Sequence, residues 1–272
     1  MKPHRHRKST LWRPGSSKPE GQPLIVEEPL SIRIQGAPYS VVMRTPGDEK
    51  AHVAGFCLGE GLADRPEDIT AIAFCDGDDT NVVTVTLAPK RRKAIAGILD
   101  RREFVSQTSC GLCGKEIVAD LHQQVRPVTA ETRLDPQGAF ACLQSLSDHQ
   151  PIRRATRAAH AAAIYDDRFN LLAIAEDVGR HNALDKAIGM LFLDGRLDRA
   201  ALLVLSSRIS YELVQKAARA RIPVIVAVSR PTTLAVDLAE ALNITVACRD
   251  GRDGLNVFCC SHRFGLSTLM HA

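Results

Sequence analysis

Three short apolar runs most constrain the fold: residues 201–205 (ALLVL), 224–228 (VIVAV) and 244–247 (ITVA). Between them lie two amphipathic stretches, residues 210–221 (SYELVQKAARAR) and 233–242 (TLAVDLAEAL). Near-continuous apolar strands joined by helix-length crossovers predict βαβαβ, with a largely buried and at least partly parallel sheet. Upstream, residues 162–165 and 171–176 read as a hairpin around Asp166, Asp167 and Arg168, and residues 182–192 as a helix.

The first hundred residues have a different rhythm. Residues 30–35 (LSIRIQ) and 39–44 (YSVVMR) predict a hairpin through Gly36-Ala37-Pro38, followed by a helix over 49–61. Residues 69–75 and 81–87 alternate as strands, and residues 90–100 read as a short basic helix. The expected fold class is therefore α/β, α+β overall. It divides into a small N-terminal α+β domain over 25–104 and an α/β domain over 105–265, with a C-terminal tail at 266–272.

The basic character is local. Residues 1–20 hold Lys2, Arg5, Arg7, Lys8, Arg13 and Lys18 against Glu20, an excess of five positive charges beside +4 for the whole chain. A Pro/Ser/Lys/Arg/His segment of this kind cannot build a core, so residues 1–24 read as a disordered tail. The folded part is slightly acidic, which argues against nucleic acid as its partner. No signal-peptide core or membrane-length apolar run stands in the sequence. The 8 cysteines are too irregular for a secreted disulfide framework, so a reducing cytoplasm is expected.

Residues 106–115 (SQTSCGLCGK) place Cys110 and Cys113 two residues apart, just before a helical pattern over 115–125. A thiolate at a helix N-terminus beside Lys115 is a nucleophile near neutral pH. Such a pair can close a disulfide, hold half a metal site, or pass sulfur to a partner. The zinc reading lacks ligands: His122 is one, and no second CxxC follows. No metal site is expected.

At the carboxyl ends of the three apolar strands stand residues 206–208 (SSR), 229–232 (SRPT) and 249–252 (RDGR). Ligands of open α/β sheets gather at such ends, and hydroxyls, arginines and helix N-termini suit phosphate or pyrophosphate oxygens. Neither GxGxxG nor GxxxxGK[ST] is present. The segment 176–186 (EDVGRHNALDK) adds Asp177, Arg180 and His181 for anion contact or proton handling. Its structural reading makes Asn182 an N-cap, Asp185 its capping-box partner, and Lys186 an outward-facing cation.

The combination of EEPLSIRIQG, MRTPGDE, SCGLCGK, EDVGRHNALDKAIG, LSSRISYELVQKAARARIPVIVAVSRPTTLAVDLA and CRDGR resembles the FdhD/NarQ family of formate dehydrogenase accessory proteins. The resemblance runs from about residue 25 to 258. It implies a cytidine-deaminase-like catalytic domain, a homodimer, and a cytoplasmic sulfur carrier, a sulfurtransferase with a cysteine persulfide intermediate. Sulfur would pass from a cysteine desulfurase to Mo-bis(molybdopterin guanine dinucleotide), for a molybdenum-dependent formate dehydrogenase.

By motif position the resemblance makes Cys110 the persulfide-bearing residue, assisted by Cys113. The cofactor segment becomes Ala247, Cys248, Arg249, Asp250, Gly251 and Arg252, with Ser207, Arg208, Ser229, Arg230 and His181 completing a guanine-nucleotide pocket. Two departures stand out: Arg157 where the family commonly has glycine, and Ala247 where it has an aromatic. A zinc deaminase is disfavoured, since the cysteine pair precedes His160, no proline stands before Cys110, and Ala162 takes the glutamate's place. The remaining alternative is a CxxC redox switch or a nucleotide-binding regulatory module.

Overall fold

The computed structural model describes residues 2–76, 79–96 and 125–266. Cys110, Cys113, the helix expected over 115–125 and the domain boundary expected at 104 and 105 all lie outside them, Val125 excepted, as does most of the C-terminal tail.

The segment expected to be a disordered tail is an antiparallel ribbon. Strands β1 (His4–Arg13) and β2 (Ser16–Ile25) pair from His4↔Ile25 to Arg13↔Ser16. Composition argued correctly that these residues build no core, but backbone pairing needs none. The turn relies on Gly15 at φ 81, and the base is tied by Val26 N donating to the Pro3 carbonyl (2.9 Å) and by Arg5 to Glu28 (3.1 Å).

A four-stranded sheet follows, built from β3 (Glu28–Ile34), β4 (Ala37–Arg44), β5 (Ile69–Asp76) and β6 (Asp79–Leu87). Its order is β4-β3-β6-β5, with β3 and β6 parallel. Leu30, Ile32 and Ile34 of β3 and Val83 and Val85 of β6 point into the core, the period-2 pattern of a one-faced sheet. Helix α1 (Glu49–Gly59) is buried along nearly its whole length, and α2 (Pro89–Ala94) covers the first part of the predicted basic helix.

The second sheet has six strands in the order β12-β11-β10-β9-β7-β8: β7 (His160–Tyr165), β8 (Leu171–Asp177), β9 (Leu202–Leu205), β10 (Val224–Ala227), β11 (Thr245–Asp250) and β12 (Gly254–Cys259). Strands β9, β10 and β11 are parallel, the predicted βαβαβ core, and β7 runs antiparallel to β9. Side chains alternate between two apolar clusters. Leu203, Leu205, Ile225 and Val246 face the larger one, while Leu202, Val204, Val226 and Ala247 face the smaller. Both faces are buried, which explains the unbroken apolar runs.

Helices α5 (Arg180–Leu193), α6 (Tyr211–Arg219) and α7 (Thr233–Ala241) supply the larger cluster, which also takes in α1 and the four-stranded sheet. The other face is covered by α3 (Pro136–Ser145), followed by α4 (Pro151–Thr156). Sequence reading missed both. For α3 a start signal was there: Asp135 accepts from the Gln137 and Gly138 amides, with Pro136 at the first helical position. A further difference concerns residues 249–252. They are the end of β11 and its turn into β12, a hairpin tip. Among the described residues no helix is long and apolar enough to cross a membrane.

Two glycines bring α1 and α5 backbone to backbone. A Cβ on Gly55 would lie 1.9 Å from the Asp185 carbonyl oxygen, and one on Gly189 1.7 Å from that of Ala51. The same crossing buries charge. Asp177, at the end of β8, pairs with Lys186 (2.7 Å) and accepts from Thr45 N (3.0 Å), while Lys186 also donates to the Thr45 carbonyl (2.7 Å).

The expected capping box is corrected here. The helix starts at Arg180 after Gly179, two residues early, so Asn182 is inside the helix rather than its cap, and Asn182, Asp185 and Lys186 are buried. Asn182 donates to Asp177 and to the Met43 carbonyl, Asp185 pairs with Lys216 (2.7 Å), and Lys186 is 2 % exposed. His52 of α1 is fully buried close by, beside Asn182. Burial, then the charges of Lys186, Lys216 and Arg44, holds its pKa well below the usual imidazole value.

Two outcomes test this packing. Gly189→Ala should lower unfolding stability by about 1–3 kcal/mol or more in urea, because the obstructing atom is backbone. Gly21→Ala, with open space around it, should change it by no more than about 0.5 kcal/mol. His52 is neutral when folded and protonates when unfolded, so the unfolded state gains the proton and acid favours unfolding. Stability should therefore fall from pH 6.5 to pH 5 more steeply in the wild type than in His52→Leu, by up to ~1.4 kcal/mol per pH unit. Parallel urea midpoints in the two proteins would contradict this.

Candidate functional site

The carboxyl ends of β9, β10 and β11 open on one edge of the six-stranded sheet, and the antiparallel strands add to it. In register, Leu205, Ala227 and Cys248 are neighbours, and Ala162 lies beside Leu205, so His160 at the start of β7 stands at the same edge. Asp177 pairs with His160 across β7 and β8. Helices α5, α6 and α7 begin in the segments after β8, β9 and β10, so three helix N-termini face this edge.

The loops after β9 and β10 run side by side. Ile209 bridges Pro231 in parallel, and Thr232 N donates to the Ile209 carbonyl (3.0 Å). Ser206 Oγ accepts from Ala161 N (2.8 Å), which binds the loop to the start of β7. Thr232 caps α7 by accepting from Ala235 N (3.2 Å). Ser207 is buried and its hydroxyl donates to the Arg208 carbonyl (2.9 Å), so it shapes the loop. Arg208, Ser229 and Arg230 are exposed.

Cationic side chains converge here. Arg180 and Arg208 are close enough to repel, so burial and then Arg208 lower the Arg180 pKa. His160 is lowered by burial first, then by Arg180, Arg153 and His181. His181 is held by Glu212, Nε2 to Oε2 at 2.7 Å, with Ser210 Oγ at 3.3 Å. Glu212 is correspondingly lowered, first by its hydrogen bond with His181. Buried His160 Nδ1 and Arg180 Nε have no hydrogen-bond partner among the described residues. Mutually repelling cations with free donors are arranged to receive an anion.

Of the residues singled out from sequence, the fold brings His181 and Arg208 into this cluster, with Ser207 behind them. Arg230 is near enough to Cys248 to oppose the rise that burial gives its thiol pKa. Ala247 and Cys248 are buried inside β11, and Arg249, Asp250, Gly251 and Arg252 form the exposed hairpin tip. His160, Arg153 and Glu212 were not assigned to the site. They come from separate elements, β7, α4 and α6, which only the assembled fold brings to one edge. Arg157, at φ 60, ends α4 in a left-handed conformation that a glycine adopts without strain.

Comparison with known proteins bears on the fold and the family. The solved structure of a provisionally assigned formate dehydrogenase accessory protein from Desulfotalea psychrophila matches with a TM-score of 0.76, covering 96% of this chain and 98% of that one at 23% identity. At that identity the match speaks for the α/β fold. The sulfur carrier protein FdhD of Streptomyces avermitilis is 38% identical over 271 residues, covering 96% of this chain and 95% of its own. That of Mycobacterium tuberculosis is 39% identical over 254 residues, covering 86% and 89%. The model of the FdhD/NarQ family matches residues 25–265. The chain belongs to the FdhD/NarQ family.

Proposed function

We propose that this chain is a sulfur carrier of formate dehydrogenase maturation. It accepts persulfide sulfur from a cysteine desulfurase and passes it to the molybdenum cofactor, acting as a sulfurtransferase through a cysteine persulfide. Near-full-length similarity to curated sulfur carriers is the observation that carries this reading.

The finer assignments follow from the same reading. Cys110 bears the persulfide and Cys113 assists. A thiolate there attacks the outer sulfur of the donor persulfide; the donor thiolate leaves and the sulfane sulfur stays on Cys110. The client is Mo-bis(molybdopterin guanine dinucleotide), bound as substrate at the carboxyl edge of the six-stranded sheet. Arg180, His181, Arg208 and His160 meet its phosphates, and Ser229, Arg230 and the Arg249–Arg252 tip extend the contact. The mixed sheet between helical layers supports a cytidine-deaminase-like architecture. We place the protein in the cytoplasm as a homodimer that visits a cysteine desulfurase and a molybdenum-dependent formate dehydrogenase.

GDP, which stands for one guanine end of the cofactor, tests the site. Arg180→Ala should weaken GDP binding by about 10- to 100-fold in calorimetry, the effect of removing a charge-assisted contact. The same variant should fail to restore formate dehydrogenase activity to a bacterium lacking its own carrier, while the wild-type chain restores it. Unchanged affinity in Arg180→Ala would move the site elsewhere. No restoration by the wild-type chain would overturn the function.

A further inference from the structure

The ribbon of β1 and β2 is exposed along most of both faces. Directly opposed residues of an antiparallel pair share a face, so the register places Arg5, Arg7, Arg13 and Lys18 on one side, with Glu20 the single carboxylate among them. All four cations are exposed. Arg5 is tied to Glu28 (3.1 Å); among the described residues no ion pair reaches Arg7, Arg13 or Lys18. On the other side Trp12 stands near the turn, 71 % exposed, on the same face as Pro19.

The ribbon's place in the fold extends this charge. Strand β2 packs against α4, which adds exposed Arg153, Arg154 and Arg157. Arg153 is one of the cations that, after burial, lower the His160 pKa, so a positive surface runs from the ribbon through α4 to the cation cluster at the sheet edge. A two-stranded ribbon is marginally stable by itself, and this one gives no residue to either apolar cluster. The core does not use it, which leaves its faces for a second molecule.

We propose that the ribbon and α4 form a docking arm for an acidic face of the protein that exchanges the client cofactor with the sheet edge. The inference rests on the sulfur-carrier reading for that partner, and on the exposed charge of the ribbon for its chemistry.

Protein carboxylates fit this surface better than nucleic-acid phosphates. Glu20 stands within the cationic face, opposite Ser9, where an unbroken row of phosphates meets a like charge. A protein face sets a lysine or arginine against it instead. Exposed tryptophan and arginine are also the residue types that anchor protein interfaces. Charge carried on an exposed arm steers an oppositely charged partner toward the sheet edge, and salt screens that steering.

The probe is cofactor-free formate dehydrogenase from the chain's own host, and its binding to the full chain is read by biolayer interferometry. The variant Arg7→Gln/Arg13→Gln/Lys18→Gln keeps the Arg5–Glu28 tie and the backbone pairing. At about 50 mM salt it should bind about tenfold more weakly than the wild type, and at about 500 mM salt the wild type should fall to its level. Trp12→Ser should weaken binding by a similar factor at both salt concentrations, because it removes contact area rather than charge. Urea unfolding midpoints equal to that of the wild type show that the variants are folded.

Unchanged affinity in both variants would overturn the proposal. So would a mixed-sequence DNA duplex that binds the wild type more tightly than the enzyme does and loses affinity in the triple variant, which would make the arm a nucleic-acid surface. Restoration of formate dehydrogenase activity in a bacterium lacking its own carrier reads the carrier function separately. Restoration by the wild-type chain with unimpaired binding by the variants discards the arm and keeps the carrier; no restoration discards the carrier reading whatever the arm binds.

Discussion

Asp177, buried at the end of β8, is held by Lys186, the Thr45 amide, the Gly179 amide and the Asn182 side chain. A carboxylate in that position costs several kcal/mol to desolvate, and its partners do little more than offset the cost. What the arrangement contributes is uniqueness. Thr45 belongs to the end of the four-stranded sheet and Lys186 to the helix after β8, so only one relative placement satisfies all the donors. The glycine crossing of Gly55 and Gly189 makes the same demand in steric form: the two helices meet at backbone distance or not at all.

The candidate site inherits this precision. Asp177 fixes Gly179, Gly179 starts α5, and the next two residues are Arg180 and His181, which face the cation cluster. From the other side Glu212 at the start of α6 holds His181, while Lys216 one turn later pairs with Asp185 of α5. One motif thus divides its labour between neighbouring residues. Its buried members lock the helix, and its half-exposed members are presented at the sheet edge. An anion bound there meets donors already in place, which lowers the ordering cost of binding.

Much of this was legible in the sequence because it is periodic. The runs at 201–205, 224–228 and 244–247 are apolar on both sides because both sheet faces are covered, and that pattern alone gave the parallel core. The pairing of β3 with β4 was legible from its turn; the structure places the turn at Gln35 and Gly36, both at positive φ, with Ala37 and Pro38 already in β4. Lys186 misled because a lysine on a helix is usually a solvated charge, and nothing local reveals that Asp177 and Thr45 wait on its inward side. The ribbon of residues 4–25 misled because low core-forming content says nothing against backbone pairing. His160 and Glu212 were unreadable as site residues, since the contacts that unite them with His181 are made only when β7, α5 and α6 assemble.

The central claim is that this chain carries sulfur on Cys110, and the most direct test is the intact mass after incubation with a cysteine desulfurase and cysteine, followed by peptide mapping. The account predicts a reducible gain of one sulfur, about 32 Da, whose share on the Cys110 peptide disappears in Cys110→Ala. A wild-type protein that gains no sulfur from the desulfurase and instead loses about 2 Da, the mark of a Cys110–Cys113 disulfide, would contradict it.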